Sequence, residues 1–164
     1  MNITLRKASA EDAATLTAIA FEAKRTWNYP EEYLEIWKDE LTITEDYLNE
    51  SEVFVAEFRR KIIGFYSIVI LQNDKQFGRV TVEKGFWMDH LFIVPDYQHK
   101  GVGKKLIQHA LDHCKDNWID VLKIFVDPNA SNFYEKMGAA FVRNSPSSIN
   151  DREIPVYAFY LEDE

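Results

Sequence analysis

The sequence has only one cysteine, Cys114, among its 164 residues. A single cysteine excludes an intramolecular disulfide bond and a cysteine-based zinc site. Long apolar runs are also absent, because no stretch approaches the roughly 20 apolar residues of a membrane span. The first residues lack the apolar core of a secretory signal. We therefore expect a soluble, cytoplasmic protein with no membrane partner.

The sequence also lacks an excess of positive charge. The 19 Lys and Arg residues are outnumbered by 27 Asp and Glu residues, so the formal net charge is -8. Nucleic-acid binding requires clustered Lys and Arg side chains that neutralise phosphates, and the composition therefore argues against a nucleic-acid partner. A negatively charged protein instead favours cationic amines in its surroundings.

Apolar and aromatic side chains are plentiful by contrast. Hydrophobic residues make up 46% of the chain, and 4 Trp, 8 Tyr and 11 Phe side chains offer a large apolar surface for burial. A chain of this length can bury most of that surface in one core. We therefore expect a single domain over residues 1–164.

The order of apolar patterns predicts an α/β (α+β) fold. Alternating or continuous apolar runs predict strands, and apolar residues at helical spacing predict helices. Polar loops are predicted at 72–79 and 144–151. The predicted strands lie at residues 3–5, 53–56, 62–70, 86–94, 121–126, 140–142 and 155–161, and the predicted helices at 9–24, 30–41, 102–117 and 128–137.

One strand, turn and helix unit carries the strongest chemical signal. Its turn, residues 98–104, reads QHKGVGK and places backbone N–H groups at the start of a predicted helix. Such amides, together with the positive end of the helix dipole, favour a bound anion. Gly101 and Gly103 allow close approach of the backbone, and Lys100 and Lys104 add positive charge.

Two common phosphate motifs do not match this turn. A P-loop requires G-x-x-x-x-G-K-[ST], but Gln98 occupies the first glycine position and Lys105 the last position. A dinucleotide-binding turn requires G-x-G-x-x-G, but Leu106 occupies the third glycine position. From the residues alone, a phosphate site of another kind and an ordinary tight turn both stay open.

Two segments of the chain resemble the GNAT acetyltransferases. Residues 91–106, LFIVPDYQHKGVGKKL, resemble motif A of that family, whose signature is Q/R-x-x-G-x-G/A. Residues 127–139, DPNASNFYEKMGA, resemble motif B, commonly N-x-x-A-x-x-F-Y-E-K-x-G-F. The sequence REIP at 152–155 is similar to the R-x-L-P of a subset of bacterial members. The chain is thus similar to bacterial, small-molecule members of the GNAT superfamily.

The resemblance implies both a fold and a cofactor. The fold is a mixed, mostly antiparallel sheet flanked by helices, in which the strands on either side of residues 95–120 are parallel and splay apart where the cofactor enters. The implied cofactor is acetyl-CoA. The backbone of residues 91–94 would pair with the pantetheine like an added strand, and the amides of residues 99–104 would hold the pyrophosphate. The implied cofactor-binding residues are Leu91, Phe92, Ile93, Val94, Gln98, His99, Lys100, Gly101, Val102, Gly103, Lys104, Asn129, Asn132, Phe133 and Tyr134.

Motif B departs from the family at one position. Asp127 occupies a position where the family often has asparagine. Asn129 and Asn132 are nearby alternatives for the asparagine that contacts pantetheine.

Three side chains are candidates for proton transfer. The resemblance places Tyr134 near the acetyl-CoA sulfur, as the acid for the departing thiolate or as a packing aromatic. Asp89 shares a predicted strand face with Leu91 and is the first candidate for the base, with substrate binding or backbone capping as alternatives. Glu22 is either a carboxylate on the acceptor side or a solvated helix residue. His90 points to the opposite strand face and is expected to be a core or interface residue, not the base.

Other clusters have two interpretations each. Trp27, Tyr29 and Tyr33 either form an aromatic wall that attracts an amine or pack in the core. The basic segment 59–61 either is a solvated hairpin tip or contacts the 3′-phosphate of the cofactor. The histidines at positions 109 and 113 have no third ligand nearby in sequence, so no metal site is expected.

The resemblance implies direct attack of a neutral amine on acetyl-CoA. We expect acetyl transfer to the primary amine of a small molecule, by a monomer or a homodimer. Two alternatives stay open: acetylation of a protein or peptide, and a non-catalytic acyl-CoA sensor that lacks a base.

Overall fold

The computed structural model describes residues 1–161. Residues 162–164, which the single-domain prediction includes, lie outside the described part of the chain. Six α-helices and nine β-strands are found in the described part. The helices are α1 (Ala13–Arg25), α2 (Glu31–Ile36), α3 (Lys38–Leu41), α4 (Glu45–Glu50), α5 (Val102–Asp116) and α6 (Ser131–Lys136). The strands are β1 (Thr4–Lys7), β2 (Glu52–Phe58), β3 (Lys61–Leu71), β4 (Lys75–Phe77), β5 (Val80–Val82), β6 (Gly85–Ile93), β7 (Val121–Phe125), β8 (Ala140–Pro146) and β9 (Glu153–Tyr160).

Seven strands form one sheet in the order β1-β2-β3-β6-β7-β9-β8, and β4 and β5 form a separate hairpin. The pairs β1–β2, β2–β3, β7–β9 and β8–β9 are antiparallel. The pair β6–β7 is parallel, with Phe86 opposite Leu122 and Trp87 opposite Lys123. The predicted mixed, mostly antiparallel α/β architecture is confirmed, including the parallel pair on either side of residues 95–120.

The described chain divides into two compact units. The first unit contains residues 1–68 and 90–109, and the second contains residues 69–89 and the described residues from 110 onward. The division falls inside β3, β6 and α5, so each of these three elements contributes one end to each unit.

The first unit has a core between its strands and helices. Helix α1 buries Leu16, Ile19, Ala20 and Ala23, whose spacing places them on one face of the helix. In the antiparallel ladder of β2 and β3, Val55 lies opposite Phe65. The largest fully buried side chains of this unit are Leu16, Val53, Val55, Ile63, Phe65, Tyr66, Val102, Leu106 and Ile107.

Gly64 on β3 allows the chain to approach the end of β6 closely. A Cβ atom on Gly64 would lie 3.0 Å from the carbonyl oxygen of Phe92 and 3.5 Å from the Cα atom of Ile93. The Val94 amide then donates a hydrogen bond of 2.8 Å to the carbonyl oxygen of Ile63. These contacts fix the end of β6 just before the QHKGVGK turn.

The second unit is built on the start of β6 and on β7, β9 and β8. Leu122 lies opposite Phe159 in the ladder of β7 and β9, and the Trp87 ring stacks on the Phe125 ring with centroids 4.8 Å apart. Cys114 is fully buried, and burial raises the pKa of its thiol to about 11. The cysteine is therefore a protonated apolar core residue at neutral pH.

Three details of the predicted secondary structure are wrong. The segment 72–79 is not a simple loop, because it contains β4, which pairs with β5 through a turn at Gly78. The predicted helix at 30–41 is divided into α2 and α3, with Trp37 between them. Strand β8 extends to Pro146, so the polar loop predicted at 144–151 begins later.

Candidate active site

The segment between β6 and α5 forms a tight turn. Pro95 cannot donate a backbone hydrogen bond, and a 3-10 turn over Pro95–Tyr97 follows the end of β6. The Tyr97 amide donates to the carbonyl oxygen of Val94 over 2.8 Å, and the Gln98 amide donates to that of Pro95 over 3.2 Å. The chain therefore reverses within a few residues and leads directly into α5.

Residues 98–104, which we call the cradle, form the turn at which an anion is predicted to bind. His99 and Gly101 both have left-handed backbone conformations, with φ of 62° and 83°. A Cβ atom on Gly101 would have no other atom within 4 Å, so the space above this residue is open. The first helical hydrogen bond there runs from the Lys105 amide to the Gly101 carbonyl oxygen over 3.2 Å. The preceding amides belong to the helix N-terminus, where an anion is favoured.

The apolar and the charged residues of the cradle differ in their exposure to solvent. Val102 and Gly103 are buried, which anchors the first turn of α5 in the core. His99, Lys100 and Lys104 are exposed, so their positive or neutral donor groups face solvent. An open glycine, a helix N-terminus and two exposed lysines fit the charge and size of a diphosphate.

The strand before the cradle has the properties expected of a pantetheine-binding edge. Residues 91–94 are each half-buried. They follow His90, whose ring is buried against the rings of Tyr47, Phe65 and Phe92, with centroid separations of 5.7, 6.2 and 5.5 Å. His90 is therefore a core residue, which is one of the two positions predicted for it. The first unit brings together residues 91–94 and 98–104 in one continuous segment.

Asp127, in the second unit, has a structural role that explains its departure from the family motif. Its Oδ1 atom accepts hydrogen bonds from the Asn129 amide at 2.9 Å and from Asn129 Nδ2 at 3.0 Å. This caps the 3-10 turn Pro128–Ala130. Arg152 Nη2 lies 4.0 Å from Asp127 Oδ2. Asn129 and Asn132 are both exposed, but the side chain of Asn129 is engaged by the turn.

Tyr134 is buried on α6, with 6% of its surface exposed. Burial raises the pKa of its phenol, and the nearby negative charge of Asp127 raises it further. Both effects disfavour the phenolate, so the hydroxyl keeps its proton at neutral pH. The neighbouring Phe133 ring meets the Tyr134 ring edge to face, with centroids 5.1 Å apart.

The two candidate carboxylates are both exposed. Asp89 lies on β6 between the buried residues Met88 and His90, in the second unit. Glu22 lies on α1 in the first unit, next to the buried residue Ala23. Either carboxylate is accessible to a cationic amine from solvent.

An aromatic cluster in the first unit differs from the predicted one. Trp37, not Trp27, joins Tyr29 and Tyr33, with ring centroids 5.1 and 5.7 Å from Trp37. The Lys24 ammonium lies 4.6 Å from the Trp37 ring centroid and 5.7 Å from that of Tyr29. The spacing of four residues from 29 to 33 and from 33 to 37 was a signal that would have identified this cluster.

Residues 1–161 were also considered for a metal site and for a membrane span, and they contain neither a metal-binding cluster nor a spanning helix. Within residues 1–161, no group of three or more His, Cys, Asp or Glu side chains is arranged to hold a metal ion. None of the described helices has both the length and the hydropathy that a bilayer crossing requires.

Comparison with known proteins gives a consistent result. A family model described as an acetyltransferase (GNAT) domain matches residues 49–138. A spermidine N(1)-acetyltransferase of Thermoplasma acidophilum is 31% identical over 154 residues, which cover 84% of this chain and 88% of that protein. The peptidyl-lysine N-acetyltransferase YjaB of Salmonella typhimurium is 30% identical over 66% of this chain and 74% of its own length.

A solved acetyltransferase structure is similar to this chain over almost its whole length. The crystal structure of a PaiA N-acetyltransferase from Thermoplasma acidophilum in complex with coenzyme A superposes with a TM-score of 0.76 and 25% identity. The match covers 98% of this chain and 99% of that chain.

Proposed function

This chain belongs to the GNAT acetyltransferase family and is an acetyl-CoA-dependent acyltransferase, and we propose that its acceptor is the primary amine of a small molecule. The observation that carries this proposal is the similarity to a spermidine acetyltransferase over 84% of the chain. The extent of that similarity also supports one acetyltransferase domain. The negative net charge and the two exposed candidate carboxylates favour a cationic acceptor.

The first unit supplies the proposed cofactor-binding residues. The backbone of residues 91–94 would pair with the pantetheine, and the amides of residues 99–104 would hold the pyrophosphate. Lys100 and Lys104 would add charge-assisted contacts. In the second unit, the exposed Asn132 is the proposed pantetheine contact, because the side chain of Asn129 already donates a hydrogen bond to Asp127. When bound, acetyl-CoA supplies an activated thioester.

Three side chains are proposed to transfer protons. An amine attacks only when neutral, so Asp89 or Glu22 is proposed to take the proton from the ammonium form of the substrate, directly or through water. Tyr134 holds a proton at Oη across the neutral range, because its pKa is raised by burial and by Asp127. That is the protonation state required of a donor to a departing thiolate.

A second candidate acceptor is the lysine side chain of a peptide or protein. Two relatives are peptidyl-lysine N-acetyltransferases, YjaB of Salmonella typhimurium and YiaC of Escherichia coli, the latter 24% identical over 82% of this chain. Both acceptors present a primary alkylamine. The lysine side chain is attached to a peptide backbone, whereas a free polyamine is not.

A panel of amines separates these functions through release of free CoA from acetyl-CoA. We expect turnover with spermidine and with unbranched diamines, and little turnover with lysine-containing peptides. The matched control is the same diamine with both nitrogens fully methylated, which binds as a cation but cannot be acetylated. Turnover with peptides alone would favour the lysine acceptor. Absence of turnover with every amine, alongside binding of CoA, would indicate a non-catalytic acyl-CoA sensor.

A further inference from the structure

Two short segments of the first unit are strongly basic in an otherwise acidic protein. Residues 57–61 contain Arg59, Arg60 and Lys61 and one acidic residue, and residues 95–105 contain three lysines and one acidic residue. With histidine neutral, these two segments together carry a net charge of +4 in a chain whose net charge is -8. Positive charge is therefore concentrated at the β2–β3 turn and at the cradle.

Aromatic contacts hold the two basic segments together. The Phe58 ring at the end of β2 meets the Tyr97 ring edge to face, with centroids 6.1 Å apart. The Arg59 guanidinium lies 5.0 Å from the Phe58 centroid, and the Lys100 ammonium lies 5.7 Å from the Tyr97 centroid. A cation, two rings and a second cation thus run from the hairpin turn to the cradle. We name this group of four side chains, Arg59, Phe58, Tyr97 and Lys100, the basic collar.

The acidic residue of the hairpin does not neutralise the collar. Glu57 is an ion-pair partner of Arg6 on β1, through Arg6 Nε and Glu57 Oε1. Arg59 and Arg60 are both exposed, so a ligand can reach them from solvent.

Coenzyme A carries two separate phosphate groups: the diphosphate and a 3′-phosphate on the ribose. The cradle accounts for the diphosphate. We propose that the basic collar, with Arg60, binds the 3′-phosphate and selects coenzyme A over ligands that lack this group. The proposal rests on the proposed cofactor site, because the collar begins at Lys100 inside the cradle.

The hairpin turn allows a variant that removes the charges and retains the fold. Arg59 and Arg60 have φ of 52° and 66° and form the two-residue turn between β2 and β3. Asn-Gly is the preferred sequence for a two-residue turn with two left-handed residues. The double variant Arg59→Asn/Arg60→Gly is therefore expected to fold at least as stably as the wild type.

The experiment compares coenzyme A with 3′-dephospho-coenzyme A by isothermal titration calorimetry. We expect the wild type to bind coenzyme A about tenfold more tightly, since exposed charge-assisted contacts each contribute a few-fold in affinity. In Arg59→Asn/Arg60→Gly, this preference should disappear because the affinity for coenzyme A falls, while the affinity for the dephospho ligand is unchanged. The control variant Lys75→Gln/Lys115→Gln removes two exposed positive charges elsewhere and should keep the preference.

Each other outcome overturns the proposal. Equal wild-type affinities for the two ligands would show that the 3′-phosphate is not recognised, while the proposed function would survive because the cofactor still binds. A preference retained in Arg59→Asn/Arg60→Gly would show that the phosphate is held elsewhere. Failure of both ligands to bind the wild type would overturn the proposed function and, with it, the assignment of the collar.

Discussion

At the scale of single residues, burial and one neighbouring charge determine the state of the proposed acid. Tyr134 is almost fully enclosed, and Asp127 adds negative charge, so the phenol pKa is raised from both causes. The sequence identified both residues through motif B. It could not show that Asp127 caps a turn and acts on Tyr134, because that depends on how residues 127–134 fold.

Substitution of Tyr134 by phenylalanine tests the proposed acid. Loss of the hydroxyl should lower kcat about 100-fold, the lower end of the range for general acid catalysis. The affinity for CoA should change less than about twofold, because the ring is retained. Steady-state kinetics and calorimetry measure the two effects. Tyr160→Phe is the matched control, since it removes an exposed phenol at the end of β9. Equal kcat in the wild type and Tyr134→Phe would remove Tyr134 from the chemistry.

Asp12 predicts a pH dependence of stability. Its carboxylate accepts hydrogen bonds from Arg6 Nη1 at 2.8 Å and Nη2 at 3.1 Å, and from the Ser9 amide at 2.8 Å. The Arg6 hydrogen bond is the main cause that lowers the pKa of Asp12. Because the folded-state pKa is below the unfolded value of about 3.9, the stabilisation is present above that value and is lost as the pH falls through the folded-state pKa.

The variant Asp12→Asn should therefore lower the free energy of unfolding by about 2 kcal/mol at pH 7. The difference from the wild type should shrink as the pH falls below about 4, where the carboxylate of the unfolded wild type begins to be protonated, and should be lost below the folded-state pKa. Urea unfolding at several pH values measures both. Asp112→Asn on the exposed surface of α5 is the control and should have little effect. A difference between Asp12→Asn and the wild type that is constant with pH would contradict the ionic role of Asp12.

At the scale of elements, the sequence was most informative where periodicity was local. The strand, turn and helix of β6, residues 95–101 and α5 have clear apolar patterns and a proline at the boundary, and their bounds are found within a residue or two of those predicted. The hairpin of β4 and β5 was not predicted. Each of its strands has only three residues, which is too short for an apolar alternation to be recognised, and it is closed by Gly78 with φ of 58°.

Substitution of Gly101 by glutamate tests whether the cradle binds the phosphates of the cofactor. A glutamate there would adopt a strained left-handed conformation and would place a negative charge at the helix N-terminus. The affinity for acetyl-CoA should fall at least about tenfold, because the carboxylate competes with the phosphates. Gly78→Glu is a matched control, since Gly78 also has positive φ and open space around it. Calorimetry that gave the same acetyl-CoA affinity for Gly101→Glu and Gly78→Glu would contradict the cradle.

At the scale of the whole molecule, negative net charge and local positive charge have separate roles. The overall charge of -8 suits a cationic acceptor, whereas the positive charge around the cradle suits a polyanionic cofactor. The family and the cofactor were implied by the resemblance of two segments of the sequence to motifs A and B. The acceptor site was not predictable in the same way. The four-residue spacing of Tyr29, Tyr33 and Trp37 indicates that their rings lie together, but it does not distinguish an amine-binding wall from ordinary packing.

An NMR titration of the ¹⁵N-labelled wild-type protein with coenzyme A tests the proposed cofactor site most directly. The backbone amide resonances of residues 99–104 should move most, with those of residues 91–94 next, because these amides would donate to the pyrophosphate and the pantetheine. Binding of coenzyme A with the largest changes elsewhere and the amides of residues 99–104 unmoved would contradict the proposed site.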